Sequence, residues 1–168
     1  FFQKEGTGTV LDIGCGYGVP SVWLLELFPS AVVCGVDPDG ERIRVAASAL
    51  GPRGEARTGR APGIGGLPDG ADTALILDVV HMLDNDQLRK TLAILHEKLL
   101  PVGRLVIRTT IPAGCPRPWM RRWEELRLKR HRLSPRYRSR EALEALIRAA
   151  DFQIVTVEPA APLSEEFW

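Results

Sequence analysis

No stretch of this 168-residue chain approaches the roughly 18 to 20 consecutive apolar residues that a membrane-spanning helix needs, because Asp, Arg, Gly or Pro breaks every apolar run. A helical membrane span is excluded on that pattern, and the chain is read as soluble. The first residues, Phe1-Phe2-Gln3-Lys4, show neither an initiating Met nor the basic-then-apolar order of a targeting signal, and the chain is read as a piece of a longer one. Cysteine is scarce. Cys15, Cys34 and Cys115 are widely spaced, odd in number and without a C-x-x-C pair, which argues against a disulfide framework and against a zinc site. The expectation is reduced thiols, a cytoplasmic location and no metal.

What is present is enough hydrophobic sequence, 45%, to bury one sizeable core, so residues 1–168 are expected to form a single domain. The net charge of +1 conceals a segregation. Between Arg117 and Arg140 the chain carries ten Lys or Arg against two Glu, which leaves the remainder acidic.

Apolar periodicity and punctuation predict alternating strands and helices. Thr9–Ile13 reads as a strand running into a glycine cluster, Pro20–Phe28 as a helix stopped by Pro29, Ala31–Val36 as a strand closed by Asp37-Pro38, and Glu41–Leu50 as a helix ended by Gly51-Pro52. The Gly- and Pro-rich stretch 51–70 reads mostly as loop, with a weak strand candidate at Glu55–Thr58. Further strands are expected at Thr73–Leu77 and Arg104–Thr109, around a helix at Asn85–Leu100 introduced by Asp84. A helix at Arg140–Ala150 and a β-rich run at Phe152–Val157 follow, and the tail from Glu165 begins a last strand. Such alternation implies a doubly wound, Rossmann-like and mostly parallel sheet with helices on both faces.

The chemistry starts at Asp12-Ile13-Gly14-Cys15-Gly16-Tyr17-Gly18, a glycine turn between strand and helix, where missing side chains let the backbone approach a ligand. A dinucleotide-binding turn is G-x-G-x-x-G, and its third glycine would fall at position 19, where this chain has Val19. Asp12 at the strand end would repel a pyrophosphate, yet suits the ammonium and sulfonium groups of S-adenosylmethionine, which carries no phosphate. Asp37, followed by Pro38, ends the second strand about twenty residues on, where a carboxylate can accept both hydroxyls of a ribose.

Val10-Leu11-Asp12-Ile13-Gly14-Cys15-Gly16-Tyr17-Gly18 resembles the first motif of the class I S-adenosylmethionine-dependent methyltransferases, and Val36-Asp37 resembles their acidic second-strand end. Leu77-Asp78-Val79-Val80-His81-Met82-Leu83 is similar to their fourth-strand motif, and Leu99 to Ile107 to the approach to their fifth strand. The resemblance spans roughly Thr9 to Val157. It implies S-adenosylmethionine as cofactor, held by Asp12, Gly14, Cys15, Gly16, Tyr17, Gly18, Asp37, Pro38 and Asp78. Where the family often has an acid for the adenine amino group, Gly59-Arg60-Ala61 stands instead. Against the family pattern, the fold is expected to be incomplete at the N-terminal cap and at the last strand.

Methyl transfer from a sulfonium needs a positioned acceptor more than a triad of catalytic side chains. For a hydroxyl acceptor a base helps, and His81, just past the fourth strand, is the candidate; the plainer alternative is a histidine that caps the strand end. The implied acceptor is a small or carrier-bound molecule, methylated at O, N or C. Residues 117–140, with Trp119 and Trp123, form an acceptor-side insertion suited to an anionic acceptor, or else a solvated face paired with the acidic remainder. Nucleic acid is not favoured, since no RNA-binding module is seen and the pI is about 7.9. Two rival readings remain: a non-catalytic methyltransferase-like domain within a larger protein, and an aminopropyl transferase, whose cationic acceptor the basic segment would repel.

Overall fold

The computed structural model describes residues 8–111, 135–160 and 166–168. Among these, six strands form one sheet in the order β3-β2-β1-β4-β5-β6. The strands are β1 (Thr9–Ile13), β2 (Val32–Asp37), β3 (Gly54–Thr58), β4 (Ala71–Leu77), β5 (Leu99–Thr110) and β6 (Glu166–Phe167), and the helices are α1 (Val19–Leu27), α2 (Gly40–Leu50), α3 (Asn85–Lys98) and α4 (Arg140–Arg148). β1 to β5 are parallel, and β6 joins β5 antiparallel through Thr109 and Thr110. This is the expected Rossmann-like architecture.

Alternation along β1 and β4 divides the core in two, as a strand buried on both faces must. Val10, Val33 and Leu75 pack with Leu24 and Leu25 of α1 and Leu50 of α2 on one side. Leu11, Ile13, Ala74 and Ile76 pack on the other against Leu88, Leu92 and Leu95 of α3 and Leu143 and Leu146 of α4. The three α3 leucines are fully buried, so truncating any one to Ala is expected to cost about 2–5 kcal/mol.

Caps set the helix starts. Asp84 accepts the Gln87 N–H at 2.8 Å while the Gln87 side chain accepts the Asp84 N–H at 3.0 Å, a reciprocal box opening α3. Asp39 accepts from Glu41 and Arg42 N–H to open α2, and Ser139 Oγ accepts the Ala142 N–H to open α4. No helix among the described residues is long and apolar enough to cross a membrane.

One faint expectation is borne out and two are corrected. The weak candidate in the Gly/Pro stretch is a full strand, β3, because β2 offers its free edge from Val33 to Asp37. The helix expected to reach Leu100 stops at Lys98, and β5 begins at Leu99, much earlier than Arg104; Ala71 pairs Leu99 while Thr73 pairs Arg104, so Leu100–Gly103 bulge out within one strand. Phe152–Val157 forms no ladder. Pairing resumes only at Glu158, which exchanges both backbone bonds with Trp168 at 3.0 and 2.8 Å, because β6 lies between this segment and β5. The tail strand is present at Glu166–Phe167. Trp119, Trp123, Cys115 and most of the basic stretch lie outside the described residues.

Candidate functional site

The chain runs outward from β1 through β2 to β3, then returns to start β4 on the other side of β1. Strand order therefore reverses between β1 and β4, and ligands of open α/β sheets bind at the carboxyl ends beside such a reversal. Three segments meet at this edge: the turn 14–18 after β1, Asp37–Asp39 after β2, and the loop from Asp78 to Asp84 after β4.

The turn is built by satisfying its own backbone. Gly14 and Cys15 N–H both donate to the Val36 carbonyl at 2.7 and 3.0 Å, and Gly18 N–H donates to the Cys15 carbonyl at 2.8 Å. Gly16 N–H donates to Asp37 Oδ2 at 3.1 Å, and Asp37 Oδ1 accepts the Asp39 N–H at 2.9 Å across Pro38. A phosphate-binding loop keeps such N–H groups aimed at its ligand. Here those of residues 14, 15, 16 and 18 are already taken by the protein.

Gly14 has φ 79°, and a Cβ there would collide with Cγ2 of Val79, so this glycine lets the β4–α3 loop close against the turn. Gly16 has φ 55° but faces space: among the described residues, its chain neighbours aside, no heavy atom lies within 4 Å of where its Cβ would stand. Gly18, at φ 79°, is the residue from which α1 starts.

Two buried carboxylates sit under this surface. Asp12 is 1% exposed and accepts a hydrogen bond from Ser21 Oγ at 2.5 Å. Burial pushes its carboxyl up to about 6; the Ser21 hydroxyl opposes that rise and the charge of Asp37 adds to it. The same burial, with Asp12 and Asp37 nearby, pushes the Cys15 thiol up to about 12. A Cβ on Gly35 would come within 2.8 Å of Cys15 Sγ, so the thiol fills a gap against β2 and is protonated and inert as a nucleophile. Tyr17 projects outward, with the Arg42 guanidinium 5.6 Å from its ring centre.

After β4 the chain takes a left-handed step at Asp78, φ 60°. Its N–H donates to the Arg108 carbonyl at 2.9 Å, and its carboxylate receives both Nε, at 3.0 Å, and Nη2 of Arg108. Arg108, its guanidinium held charged by that carboxylate, also lies 5.3 Å from the Trp168 ring centre. Asp78 is thereby tied to β5. His81 stands in the 3₁₀ turn Val80–Met82, half-buried, with its ring stacked on Tyr137 at 5.5 Å and 27°.

Gly14, Cys15, Gly16, Gly18 and Asp37 are thus bonded into the end of β2, with Asp12 buried beneath on Ser21 and Pro38 spanned by the Asp37–Asp39 bond, and Val79 brings the loop carrying Asp78 and His81 against Gly14. Sequence reasoning missed four participants. Ser21 lies one turn into α1, and Arg108 is a lone cation after the apolar run Leu105–Ile107, a signal that was available. Tyr137 and Arg138 carried none, being hidden in a basic stretch. Arg60 is exposed, and its carbonyl takes the Gly63 N–H at 2.7 Å. Among the described residues no group of His, Cys, Asp and Glu is placed to hold a metal.

A family model described as a methyltransferase domain matches residues 1–157. No curated protein matches the chain. Among solved structures, the mitomycin 7-O-methyltransferase MmcR superposes with a TM-score of 0.79 at 24% identity, covering 99% of this chain and 49% of its own. CalO1, a methyltransferase in calicheamicin biosynthesis solved in its SAH-bound form, gives 0.73 at 19%, covering 99% and 48%. An O-methyltransferase family 2 protein from Planctomyces limnophilus DSM 3776, in complex with apigenin, gives 0.74 at 23%, covering 95% and 49%. At these identities the likeness is one of fold, and the chain spans about half the length of each.

Proposed function

The chain belongs to the methyltransferase-domain family, and from that premise we propose that it transfers the methyl group of S-adenosylmethionine to a small or carrier-bound acceptor, at an O, N or C centre. The observation that carries the reading is the turn itself: the N–H groups of residues 14, 15, 16 and 18 are used internally, two carboxylates lie beneath it, and the space over Gly16 is open among the described residues. That combination suits a cationic ligand without phosphate and opposes a pyrophosphate. When bound, S-adenosylmethionine supplies a methyl group on an already activated sulfonium.

The residues then have distinct tasks. Asp37 keeps a lone pair on each oxygen beyond the two N–H groups it accepts, enough for ribose hydroxyls. The bare backbone of Gly16 admits the ligand, Gly14 and Gly18 let Val79 and Ala46 close on the turn that cradles it, Cys15 and Pro38 shape the floor, and Tyr17 flanks it. Asp12 contributes negative charge from below, and Asp78 lines the β4 side. His81 takes the proton of a hydroxyl acceptor. An oxygen acceptor is favoured because MmcR and the Planctomyces limnophilus protein are described as O-methyltransferases. The basic segment 117–140 suits an anionic acceptor, and the chain acts as one methyltransferase domain of a longer cytoplasmic protein.

Titration calorimetry with S-adenosylmethionine and S-adenosylhomocysteine tests the donor site. Binding of both, weakened at least tenfold in Asp37→Ala, is expected, since about 1.4 kcal/mol is tenfold and a hydrogen bond to a charged group contributes more than that. Failure of the unaltered chain to bind either compound removes the proposal. With methyl-labelled donor and apigenin as the probe phenol, His81→Ala is expected to slow transfer by about 10²–10⁴, and an unchanged rate removes the base.

A further inference from the structure

We propose that residues 136–138, reaching back from the far side of the sequence, hold the His81 imidazole in place, and that Arg138 is the positioning residue. The 3₁₀ turn that carries His81 is closed within itself by the Met82 N–H on the Val79 carbonyl at 2.8 Å and the Leu83 N–H on the Val80 carbonyl at 3.3 Å, only a single short turn. Arg138 ties this turn from outside. Its Nη1 donates to the Val80 carbonyl at 2.9 Å, its Nη2 to the Leu83 carbonyl at 2.6 Å, and its Nε to Asn85 Oδ1 at 2.9 Å. Between those two anchored carbonyls, the His81 carbonyl accepts the Arg136 N–H at 2.6 Å, and the Tyr137 ring stacks on the imidazole. A further bond from Arg138 Nη1 to the Arg136 carbonyl, 3.2 Å, closes the segment on itself.

The chemistry is specific to arginine. Here a planar guanidinium reaches four acceptors in fixed directions, whereas a lysine ammonium is a point charge on a flexible stem. The histidine is therefore fixed at its backbone from both flanks and at its ring from one side, and its aim depends on residues more than fifty positions away. Two arginines of the basic stretch act here through backbone and loop contacts, distinct from any attraction of an acceptor.

This inference rests on the reading of His81 as a base only for its catalytic consequence, and the experiment reads position instead of turnover. Proton–carbon spectra of the chain with its histidines labelled at Cε1 resolve His81, His96 and His131, with His81 assigned by the signal missing from His81→Ala. In Arg138→Lys and Arg138→Gln the His81 signal is expected to move and broaden, and its cross-peak to the Tyr137 ring to vanish. His96, packed edge-on to Phe152 at 5.3 Å, is expected to stay and so reports an intact fold. Tyr137→Leu removes the ring contribution to the His81 shift while leaving Arg138 in place, and is expected to move the signal without broadening it. An unmoved His81 signal in both Arg138 variants overturns the proposal. So does a shift of His96 as large as that of His81, which makes Arg138 a general stabiliser. If His81→Ala leaves methyl transfer unchanged while Arg138→Lys still displaces the His81 signal, the base is lost and the holder stands.

Discussion

The two halves of the candidate site are made in different ways. The glycine turn is assembled from residues 12–39, every bond reaching no farther than the neighbouring strand: Gly14 and Cys15 to Val36, Gly16 to Asp37, Asp12 to Ser21. The His81 loop is assembled from its own backbone and from residues 136–138, across the whole of α3 and β5 in sequence. The first half is local and written in glycine and aspartate. The second is long-range and written in arginine contacts with carbonyls, which leave no pattern in the sequence. A half that can be read and a half that cannot is the outcome of that difference.

The strongest way to break the local half is Gly14→Ala. The added methyl meets Val79 and the residue is forced to φ 79°, so a left-handed penalty of about 1–2 kcal/mol adds to an overpacking cost of about 1–3 kcal/mol. Chemical denaturation is expected to show a loss of about 2–5 kcal/mol, and because Val79 belongs to the β4–α3 loop, the His81 signal should move as well. A loss below about 1 kcal/mol would mean that the two halves do not press on each other at Gly14.

Asp12 offers a pH test confined to the turn. Its carboxyl is raised to about 6 in the folded chain against 3.8 for the free group, so the folded state holds a proton that the unfolded state releases. Stability from this group is present in full below about 4 and is lost as pH rises through about 6, a change of at most about 3 kcal/mol. Asp12→Asn should flatten that slope between pH 4 and 6 in denaturation midpoints. A cationic donor bound nearby favours the ionised carboxylate, so affinity for S-adenosylmethionine is expected to rise from pH 5 to 7 in the unaltered chain, and not in Asp12→Asn. A slope that persists in Asp12→Asn would place its origin elsewhere.

For the long-range half, Arg138→Gln removes charged donors from two carbonyls at a partly exposed position, and a stability loss of about 1–3 kcal/mol is expected. Donor affinity should stay within twofold, since none of these contacts touches the turn. A parallel loss of donor binding would erase the distinction between the halves.

Much of this architecture was legible because local rules and tertiary packing agree. Asp84 and the amphipathic run after it placed that helix, and the apolar runs at Thr9–Ile13 and Thr73–Leu77 placed the two central strands. The faintest strand and the two departures share a cause. Glu55–Thr58 lacks an apolar pattern, and it becomes a strand because β2 has an open edge. Leu99–Gly103 joins β5 because a bulge opposite Asp72 absorbs the surplus residues. Phe152–Val157 has strand composition without a neighbour to pair with. In each case pairing outweighed propensity. The site divides in the same way: Asp12, the glycines and Asp37 were readable, whereas Ser21, Tyr137 and Arg138 become meaningful only once the chain has folded.

The mildest substitution for the fold separates binding from stability most cleanly. Gly16→Ala makes the same chemical change as Gly14→Ala two residues away, at a φ of 55° in place of 79°. At Gly16, however, the new methyl meets nothing among the described residues, so only the left-handed penalty of about 1–2 kcal/mol remains, near the small end of the series. The open space it enters is the space assigned to the donor. Calorimetry should therefore show donor affinity reduced by tenfold or more, while the denaturation midpoint moves far less than in Gly14→Ala. If Gly16→Ala binds S-adenosylmethionine as the unaltered chain does, the cradle over Gly16 is not where the donor lies. If it unfolds the chain as Gly14→Ala does, the turn is a structural joint throughout, and its openness at Gly16 has no bearing on the ligand.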